Sequence, residues 1–204
     1  MRHRLLIATN NAHKVVEFNR IIGDPSINLV APRELGLRLD VAEDGTTYRQ
    51  NALLKARAFA QASGMPAIAD DSGIEVAALD GRPGLHSARY GGPGLDDAGR
   101  TRLLLRELRA VPDGARGCRY VAAIAMVWPD GREEAFEGTC KGVVARDPLG
   151  DKGFGYDPIF YSPAHGMTIA QMQADVKDAF SHRGHALRQA VAYLRSLAGQ
   201  AAAG

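Results

Sequence analysis

The apolar positions of this chain fall into short runs that alternate between strand spacing and helix spacing. Residues 4–9 have the pattern of a short buried strand, and the helical spacing of Val15, Phe18 and Ile22 predicts a helix from about residue 12 to residue 22. The same patterns predict further strands at residues 27–31, 67–69, 74–79, 119–128 and 133–144. They also predict helices from a cap at Thr46 or Thr47 to residue 62, over 96–108, within 169–180, and from a cap at Ser181 to residue 197.

Strands and helices alternate in the first half of the chain, and a hairpin follows in the middle. This order predicts an α/β domain with a mixed β-sheet. Residues 81–94 and 147–158 are rich in glycine, which favours loops in both places. Neither an internal repeat nor a linker interrupts the 204 residues, so we expect a single domain over residues 1–204.

The composition is that of an ordinary globular protein, with 46% hydrophobic and 24% charged residues. Near the start the apolar run covers only residues 5–8, which is too short for a secretory signal. Because no stretch approaches the length of a transmembrane helix, we expect no membrane partner and a cytoplasmic location. Cys118 and Cys140 form no CxxC pair, which argues against a four-ligand zinc site.

The charge balance argues against nucleic acid as the main partner. The formal net charge is only +2, and no run of five basic residues occurs. Lysines are rare, five of 25 basic residues, yet Lys14, Lys55 and Lys177 all fall in segments with other chemical features. An ammonium group is a compact point charge that suits phosphate, and arginine does not simply replace it.

The junction between the first strand and the first helix is a candidate phosphate site. Its residues are Thr9, Asn10, Asn11, Ala12, His13 and Lys14. A helix N-terminus presents free N–H groups and a partial positive charge, and both attract anions. The alternative is a simple helix cap formed by Asn10 or Asn11.

Two further segments supply acids and a lysine. Asp70 and Asp71 follow a short apolar strand, and a turn at Ser72-Gly73 would let both carboxylates approach one magnesium site. The second carboxylate could activate the attacking water. Elsewhere Glu43 precedes a helix on which Asn51 and Lys55 share a face. The alternatives are an Asx turn that closes the strand and a solvated helix face.

The second glycine-rich loop carries Phe154, Gly155, Tyr156 and Asp157, which suits a nucleobase. The rings offer a surface for stacking, and the carboxylate can accept from ring N–H groups. Its alternative is aromatic packing against the sheet. Lys177 with His182 and Arg183 lies at another helix start, where the alternative is a cap with two exposed basic residues.

Together these segments supply phosphate-binding cations, a carboxylate set for a metal and a loop that stacks on a base. That combination indicates a nucleotide phosphohydrolase. A nucleotide sensor without catalytic activity is the alternative, but it needs no such set of acids. An RNA-binding module that uses the arginines is less favoured, since the basic residues are dispersed.

At this point the chain resembles the inosine/xanthosine triphosphate pyrophosphatase family. The matching segments occur in the family's order and cover nearly the whole chain: Thr9-Asn10-Asn11 with Lys14, Glu43 to Thr47, Asn51 to Ala56, Ala69 to Gly73, Pro83 to Tyr90, Gly153 to Phe160, and Lys177 with Ser181 to Gly184. The chain departs from the family pattern at Gln50, where an acid is usual, and at Lys152 and Gln171.

The resemblance implies an elongated α/β fold of two lobes around a central mixed sheet, with a nucleotide cleft between the lobes. It implies a homodimer that requires Mg²⁺ and hydrolyses ITP, dITP and XTP between the α- and β-phosphates. By position, Asp71 is the proton acceptor, and Glu43 and Asp71 hold the metal, with Asp70 nearby. The residues implied to surround the triphosphate are Thr9 to Lys14, Lys55, Ser72 and Lys177. Those implied to hold the base are Phe154 to Asp157, His182 and Arg183.

Overall fold

The computed structural model describes residues 3–203, with seven strands and five α-helices in this part of the chain. The strands are β1 (His3–Ile7), β2 (Ile27–Val30), β3 (Ala67–Val76), β4 (Gly117–Val127), β5 (Glu133–Val144), β6 (Phe160–Ser162) and β7 (Met167–Thr168). The helices are α1 (Ala12–Ile22), α2 (Tyr48–Ser63), α3 (Asp97–Glu107), α4 (Ala174–Phe180) and α5 (His182–Ala203). Short 3₁₀ helices lie at Pro32–Leu35, Ala77–Leu79, Gly84–Arg89, Asp113–Ala115 and Ile169–Gln171.

The strands form one sheet in the order β2-β1-β3-β4-β5-β6-β7. Strand β1 pairs in parallel with both β2 and β3, with Leu6 opposite Val30 on one side and Ala67 on the other. At the other end of the sheet, β6 runs antiparallel to both β5 and β7. The predicted α/β class with a mixed sheet is therefore confirmed.

The chain divides into two compact units, each built from separated segments. The first unit comprises Met1–Asp71, Ala122–Gly138 and His182–Gly204, and the second comprises Ser72–Val121 and Thr139–Ser181. Each has its own apolar core: Phe18 and Leu187 are fully buried in the first, and Leu104 and Phe160 in the second. The expectation of one domain over residues 1–204 stays a prediction.

Local capping explains why two helix boundaries could be predicted well. Helix α1 begins after Asn11, whose side chain accepts from the N–H groups of its first turn, and it ends at Gly23 in the left-handed conformation. Helix α2 begins after Thr47, whose side chain accepts from the N–H of Gln50. Of the two threonines predicted as caps, the structure therefore uses Thr47.

Strand β3 is the main departure from the predicted elements. The sequence predicts two short strands separated by a turn at Ser72-Gly73, and this turn is wrong because Ala67–Val76 is one continuous strand. Pairing with β1 on one side and membership of a long sheet outweigh the local turn preference of Asp, Ser and Gly. As successive residues of a strand, Asp70 and Asp71 point to opposite faces.

The short strands β6 and β7 and the 3₁₀ helices before residue 169 were not predicted, because runs of two to six residues carry too little periodicity. Helix α5 extends to Ala203, beyond its predicted end at residue 197. Between residues 3 and 203, no helix is both long and apolar enough to cross a membrane.

Candidate active site

In the first unit, Asp70 binds two cations on one face of strand β3. Its Oδ2 atom lies 2.6 Å from Lys14 Nζ and 3.0 Å from the Nη2 atom of Arg183. The other terminal nitrogen of Arg183 donates to Glu17 Oε2 across 2.7 Å. Asp70 and Arg183 are each only 2% exposed, so their ion pair is almost completely shielded from water, whereas Lys14 is half-buried.

Strong Coulomb interactions keep the Asp70 carboxylate ionised despite its burial. Burial by itself would raise its pKa, but the charges of Arg183 and Lys14 outweigh that effect and hold the pKa well below its usual range. The pKa of Arg183 is raised in turn, because Asp70 and Glu17 outweigh the effect of its own burial. Each member therefore depends on its partners, since an unpaired buried charge is strongly unfavourable.

Asp71 accepts hydrogen bonds from two different side chains, both of helix α2. Its Oδ1 atom accepts from Lys55 Nζ across 3.0 Å, and its Oδ2 atom accepts from Asn51 Nδ2 across 3.3 Å. Lys55 Nζ also donates to Glu43 Oε1, across 2.6 Å. Asn51 and Lys55 can both reach this site because they lie one turn apart on α2.

The Asp71 carboxylate differs electrostatically from its neighbour Asp70. Burial raises its pKa above the ordinary value for aspartate, and the charge of Lys55 only partly offsets this. For Lys55, burial alone would lower the pKa, but Asp71 and Glu43 outweigh it and the pKa is raised. Lys55 is therefore a firmly charged ammonium between two carboxylates, and Asp71 is a more basic group than a solvated aspartate.

The loop that carries Glu43 is held to the start of helix α2 by side-chain oxygens. The N–H of Gly45 donates to Asn51 Oδ1 across 2.8 Å. The N–H and the hydroxyl of Thr46 both donate to Gln50 Oε1, across 2.7 Å and 2.9 Å. These contacts join the loop to helix α2, the helix that carries Lys55, and Glu43 contacts Lys55 from this loop.

Two glutamines that depart from the family pattern act as local caps. In each case the amide oxygen accepts from a threonine: Gln50 from Thr46, as above, and Gln171 from the N–H and the hydroxyl of Thr168, across 3.0 Å and 3.2 Å. A carboxylate oxygen at either position would accept the same bonds. These substitutions therefore preserve the local hydrogen bonds of their loops. Lys152 is exposed.

At the start of helix α1, the capping alternative is confirmed for Asn11. Its Oδ1 atom accepts from the N–H groups of His13 and Lys14, and its own N–H donates to Thr9 Oγ1. Asn10 donates through Nδ2 to the carbonyl of Leu39. Phosphate binding by residues 9–14 stays a prediction, and Lys14 brings its charge to this turn while paired with Asp70.

In the second unit, Asp157 organises the glycine-rich loop. Its Oδ2 atom accepts from Lys177 Nζ across 2.6 Å and from the N–H of Phe154 across 3.0 Å. Its Oδ1 atom lies 3.4 Å from the hydroxyl of Tyr120. A Cβ atom at Gly153 would collide with Asp157 Oδ2, and Gly153 has a φ of +77°, so glycine is required there.

The two aromatic residues of this loop differ in their surroundings. Tyr156 is 4% exposed in the core of the second unit and donates to the carbonyl of Ser87, so the packing alternative is confirmed for this ring. Phe154 is half-buried, and Lys177 Nζ lies 5.1 Å from its ring centroid. The structure thus brings Phe154, Asp157 and Lys177 together, although the family resemblance implies that the lysine contacts the triphosphate. Their contacts with a nucleotide stay predictions.

The helix start that carries His182 and Arg183 lies in the first unit and is buried. The alternative of two exposed basic residues is therefore wrong. Both terminal nitrogens of Arg183 donate to carboxylates, as described for Asp70 and Glu17. A contact with the base by either residue stays a prediction.

The carboxylates around Lys55 suit a magnesium ion. Within residues 3–203, no three His, Cys, Asp or Glu side chains are gathered as a metal site on their own. Mg²⁺, however, is commonly held by one or two carboxylates together with substrate phosphates and water. Glu43 and Asp71 are two carboxylates gathered around one ammonium, so they can also face one metal cation.

Glu17 and Tyr120 were not among the predicted site residues, and Asn51 was placed on the face of Lys55 without a predicted role. Glu17 was detectable in principle, because it lies three residues after Lys14 on helix α1, next to the buried Phe18. Tyr120 carried no signal beyond its place in a predicted strand. Its hydroxyl contact with Asp157 depends on chain segments far apart in sequence.

The resemblance described above is confirmed by comparison with known proteins. The family model of the Ham1 family matches residues 5–193. The dITP/XTP pyrophosphatase of Nocardia farcinica is 44% identical over 198 residues, which is 96% of each chain. That of a Thermus thermophilus strain is 44% identical over 185 residues, covering 91% of this chain and 88% of its own.

Solved structures agree with this assignment. The Staphylococcus aureus Ham1 protein has a TM-score of 0.84 and 39% identity, covering 95% of this chain and 98% of its own. A HAM1 protein from Coxiella burnetii has a TM-score of 0.86 and 37% identity, covering 95% and 99%. By its sequence and by its fold, this chain belongs to the Ham1 family.

Proposed function

We propose that this protein hydrolyses ITP, dITP and XTP to the monophosphate and pyrophosphate, with Mg²⁺, and so removes deaminated purines from the nucleotide pool. The observation that carries the proposal is the buried Asp71 carboxylate, held by Lys55 and Asn51 next to Glu43. It occurs in a chain that is 44% identical to proteins named dITP/XTP pyrophosphatase.

The triphosphate is bound by cationic groups of the first unit, with Ser72 and Lys177 as further predicted contacts. Lys14 stands in the first turn of α1, where backbone N–H groups and the helix dipole favour anions. Lys55 is the second cation. Because an ammonium has three N–H donors, Lys55 can keep its bonds to Glu43 and Asp71 and still donate to a phosphate oxygen.

Glu43 and Asp71 would hold the magnesium ion. When bound with the nucleotide, such an ion neutralises phosphate charge and makes the phosphorus a better electrophile. Both carboxylates already contact one cationic group, Lys55 Nζ, across 2.6 Å and 3.0 Å, which supports this assignment.

Asp71 acts as the general base. It accepts a proton from a water molecule while the water oxygen forms a bond to the α-phosphorus. The bond from that phosphorus to the oxygen bridging to the β-phosphate breaks, and pyrophosphate leaves with the electron pair. The raised pKa of Asp71, caused by burial, makes the carboxylate a stronger proton acceptor than a solvated aspartate.

The base is bound by Phe154 to Asp157, His182 and Arg183. Phe154 offers a half-buried ring for stacking, in a loop that Asp157 and Lys177 hold in shape. A 6-oxo purine presents an acceptor at position 6 and an N–H at position 1, and adenine presents the reverse. Donors directed at position 6 therefore favour hypoxanthine and xanthine over adenine.

Phosphorus NMR of ITP incubated with the protein and Mg²⁺ tests this function. The expected first products are IMP and pyrophosphate, and chelation of the metal by EDTA is expected to stop the reaction. Orthophosphate and IDP as first products would place cleavage at the wrong phosphorus and contradict the proposal. A protein that binds ITP without turnover would instead be a nucleotide sensor.

We further propose a homodimer, as the family resemblance implies, and a cytoplasmic location without a nucleic-acid partner, as the apolar pattern and the charge of the sequence predict. Light scattering coupled to size-exclusion chromatography measures the mass in solution and hence the oligomeric state. A mass of one 21.8 kDa chain at micromolar concentration would contradict it. Fractionation of the source cells tests the location, and a gel-shift assay with mixed RNA tests whether the protein binds nucleic acid.

A further inference from the structure

Asn51 lies fully buried between the loop of Glu43 and strand β3. The orientation of its side-chain amide is determined by its partners. A backbone N–H can only donate, so the atom that faces the N–H of Gly45, 2.8 Å away, is the oxygen Oδ1. The amide nitrogen is therefore the atom that faces Asp71 Oδ2, 3.3 Å away.

The Asp71 carboxylate is consequently held at both oxygens from one helix. Asn51 donates to Oδ2 and Lys55 donates to Oδ1, and the two residues lie one turn apart on α2. A carboxylate held at one oxygen can still rotate about its last bond. Two donors at the two oxygens define the plane of the group, and hence the direction of its lone pairs.

We propose that Asn51 is a positioning residue that orients the Asp71 carboxylate and ties it to the loop that carries Glu43. The inference rests on the proposed function, because it assigns Asp71 as the base. Both functional ends of the Asn51 amide are engaged within the protein, so its role is to hold other groups and not to bind substrate.

Gly45 is the second part of this device. A Cβ atom at this position would lie 2.6 Å from Asn51 Oδ1 and 2.8 Å from Gln50 Cβ, closer than real Cβ contacts allow. Only glycine lets the loop backbone approach near enough to donate to Asn51. The chain of contacts from Gly45 through Asn51 to Asp71 joins the two proposed metal-binding carboxylates to one helix start.

The expected effect is on the chemical step, because misplacement of a reacting group by about 1 Å can lower a rate about 10²-fold. In Asn51→Ala, kcat for ITP hydrolysis should fall between tenfold and 10²-fold, and KM should stay within threefold. Asn51→Asp keeps the acceptor for Gly45 but removes the donor to Asp71, and kcat should fall at least as far. Gly45→Ala should also lower kcat, although Asn51 is not substituted, because the added methyl group would displace its side chain.

Steady-state kinetics with ITP and Mg²⁺ measure these constants, and calorimetric titration with α,β-methylene-ITP counts the binding-competent sites. Dividing kcat by that count separates misplacement of Asp71 from loss of folded protein. Two controls should behave as wild type: Asn28→Ala at an exposed asparagine, and Gly117→Ala, where an added Cβ meets nothing within 4 Å.

The proposal is overturned if kcat per binding site stays within threefold of wild type in Asn51→Ala and Asn51→Asp, or if the loss appears in KM. If Asn51→Ala does not fold, Asn51→Asp and Gly45→Ala decide the question by the same criteria. Failure of the function itself looks different, because then the wild-type protein releases no pyrophosphate from ITP.

Discussion

Asp70 and Asp71 are adjacent on strand β3, yet their carboxylates bind different lysines, Lys14 across 2.6 Å and Lys55 across 3.0 Å. The alternation of a strand sends neighbouring side chains to opposite faces, so the two acids join separate sets of polar side chains. Asp70 joins the buried network of Arg183, and its pKa is held well below the usual range. The pKa of Asp71 is instead raised by burial, which suits its proposed role as a proton acceptor.

Asp71→Asn should lower pyrophosphate release from ITP by about 10²-fold to 10⁴-fold, the usual range for loss of a general base. An amide cannot accept the proton, but it fits the same space. Circular dichroism should show an unchanged fold. The control is Asp40→Asn, at an exposed acid of the same unit. Activity of Asp71→Asn within tenfold of wild type would remove Asp71 from the role of base.

Asp70→Asn should lower the free energy of unfolding by about 3 kcal/mol, because it leaves Lys14 and Arg183 facing a neutral group in a buried site. Urea denaturation measures this quantity. The control is Arg57→Gln, which breaks the exposed ion pair with Glu133 and should change stability by less than about 1 kcal/mol. Equal effects of the two substitutions would mean that burial does not make the ion pairs of Asp70 more important for the free energy of unfolding than an exposed pair.

The stability difference between wild type and Asp70→Asn should depend on pH. The pKa of Asp70 is lowered in the folded protein, so its contribution is fully present above the unfolded pKa of about 3.9 and is lost as the pH falls toward the folded pKa. Thermal unfolding of both proteins from neutral pH down to about pH 3 should show that the stability difference between them becomes smaller as the pH falls. A difference that grows as the pH falls would contradict this prediction.

Phe154→Leu should lower kcat/KM for ITP by about 5-fold to 150-fold, because base stacking on an aromatic ring is worth roughly 1–3 kcal/mol. Every base has a π-face, so the value for ATP should fall by a similar factor and the selectivity should persist. The control is Tyr161→Leu, at a half-buried aromatic residue of β6. If only ITP were affected, Phe154 would determine selectivity by another route.

ITP should be preferred over ATP by about a hundredfold in kcat/KM. Adenine would leave two buried polar groups of the base site without partners, at roughly 1–3 kcal/mol each. Assays of both nucleotides at one magnesium concentration measure the ratio. Equal values would show that Phe154 to Asp157, His182 and Arg183 do not distinguish the 6-oxo group.

Much of the architecture could be predicted where the signal is local. Helix α1 was predicted with its observed bounds, because Asn11 and Gly23 cap it and Phe18 and Ile22 recur on one face. Strand β5 was likewise predicted over Glu133–Val144, from the turn before it and its apolar residues. These features act over a few neighbouring residues, and the printed sequence contains all of them.

The sequence by itself determined the family, the α/β class and which residue types are available for chemistry: three lysines, a set of acids and an aromatic loop. Tertiary structure alone decided how they are paired. In the folded protein the segment predicted as a turn is part of the continuous strand β3. This strand places Asp70 next to Arg183 and Asp71 next to Asn51. Arg183 lies 113 residues from Asp70 along the chain, and no local pattern encodes such a contact. Ion pairs of this kind form only when burial and sheet pairing have brought distant segments together, because the desolvation they involve is compensated only in the assembled core.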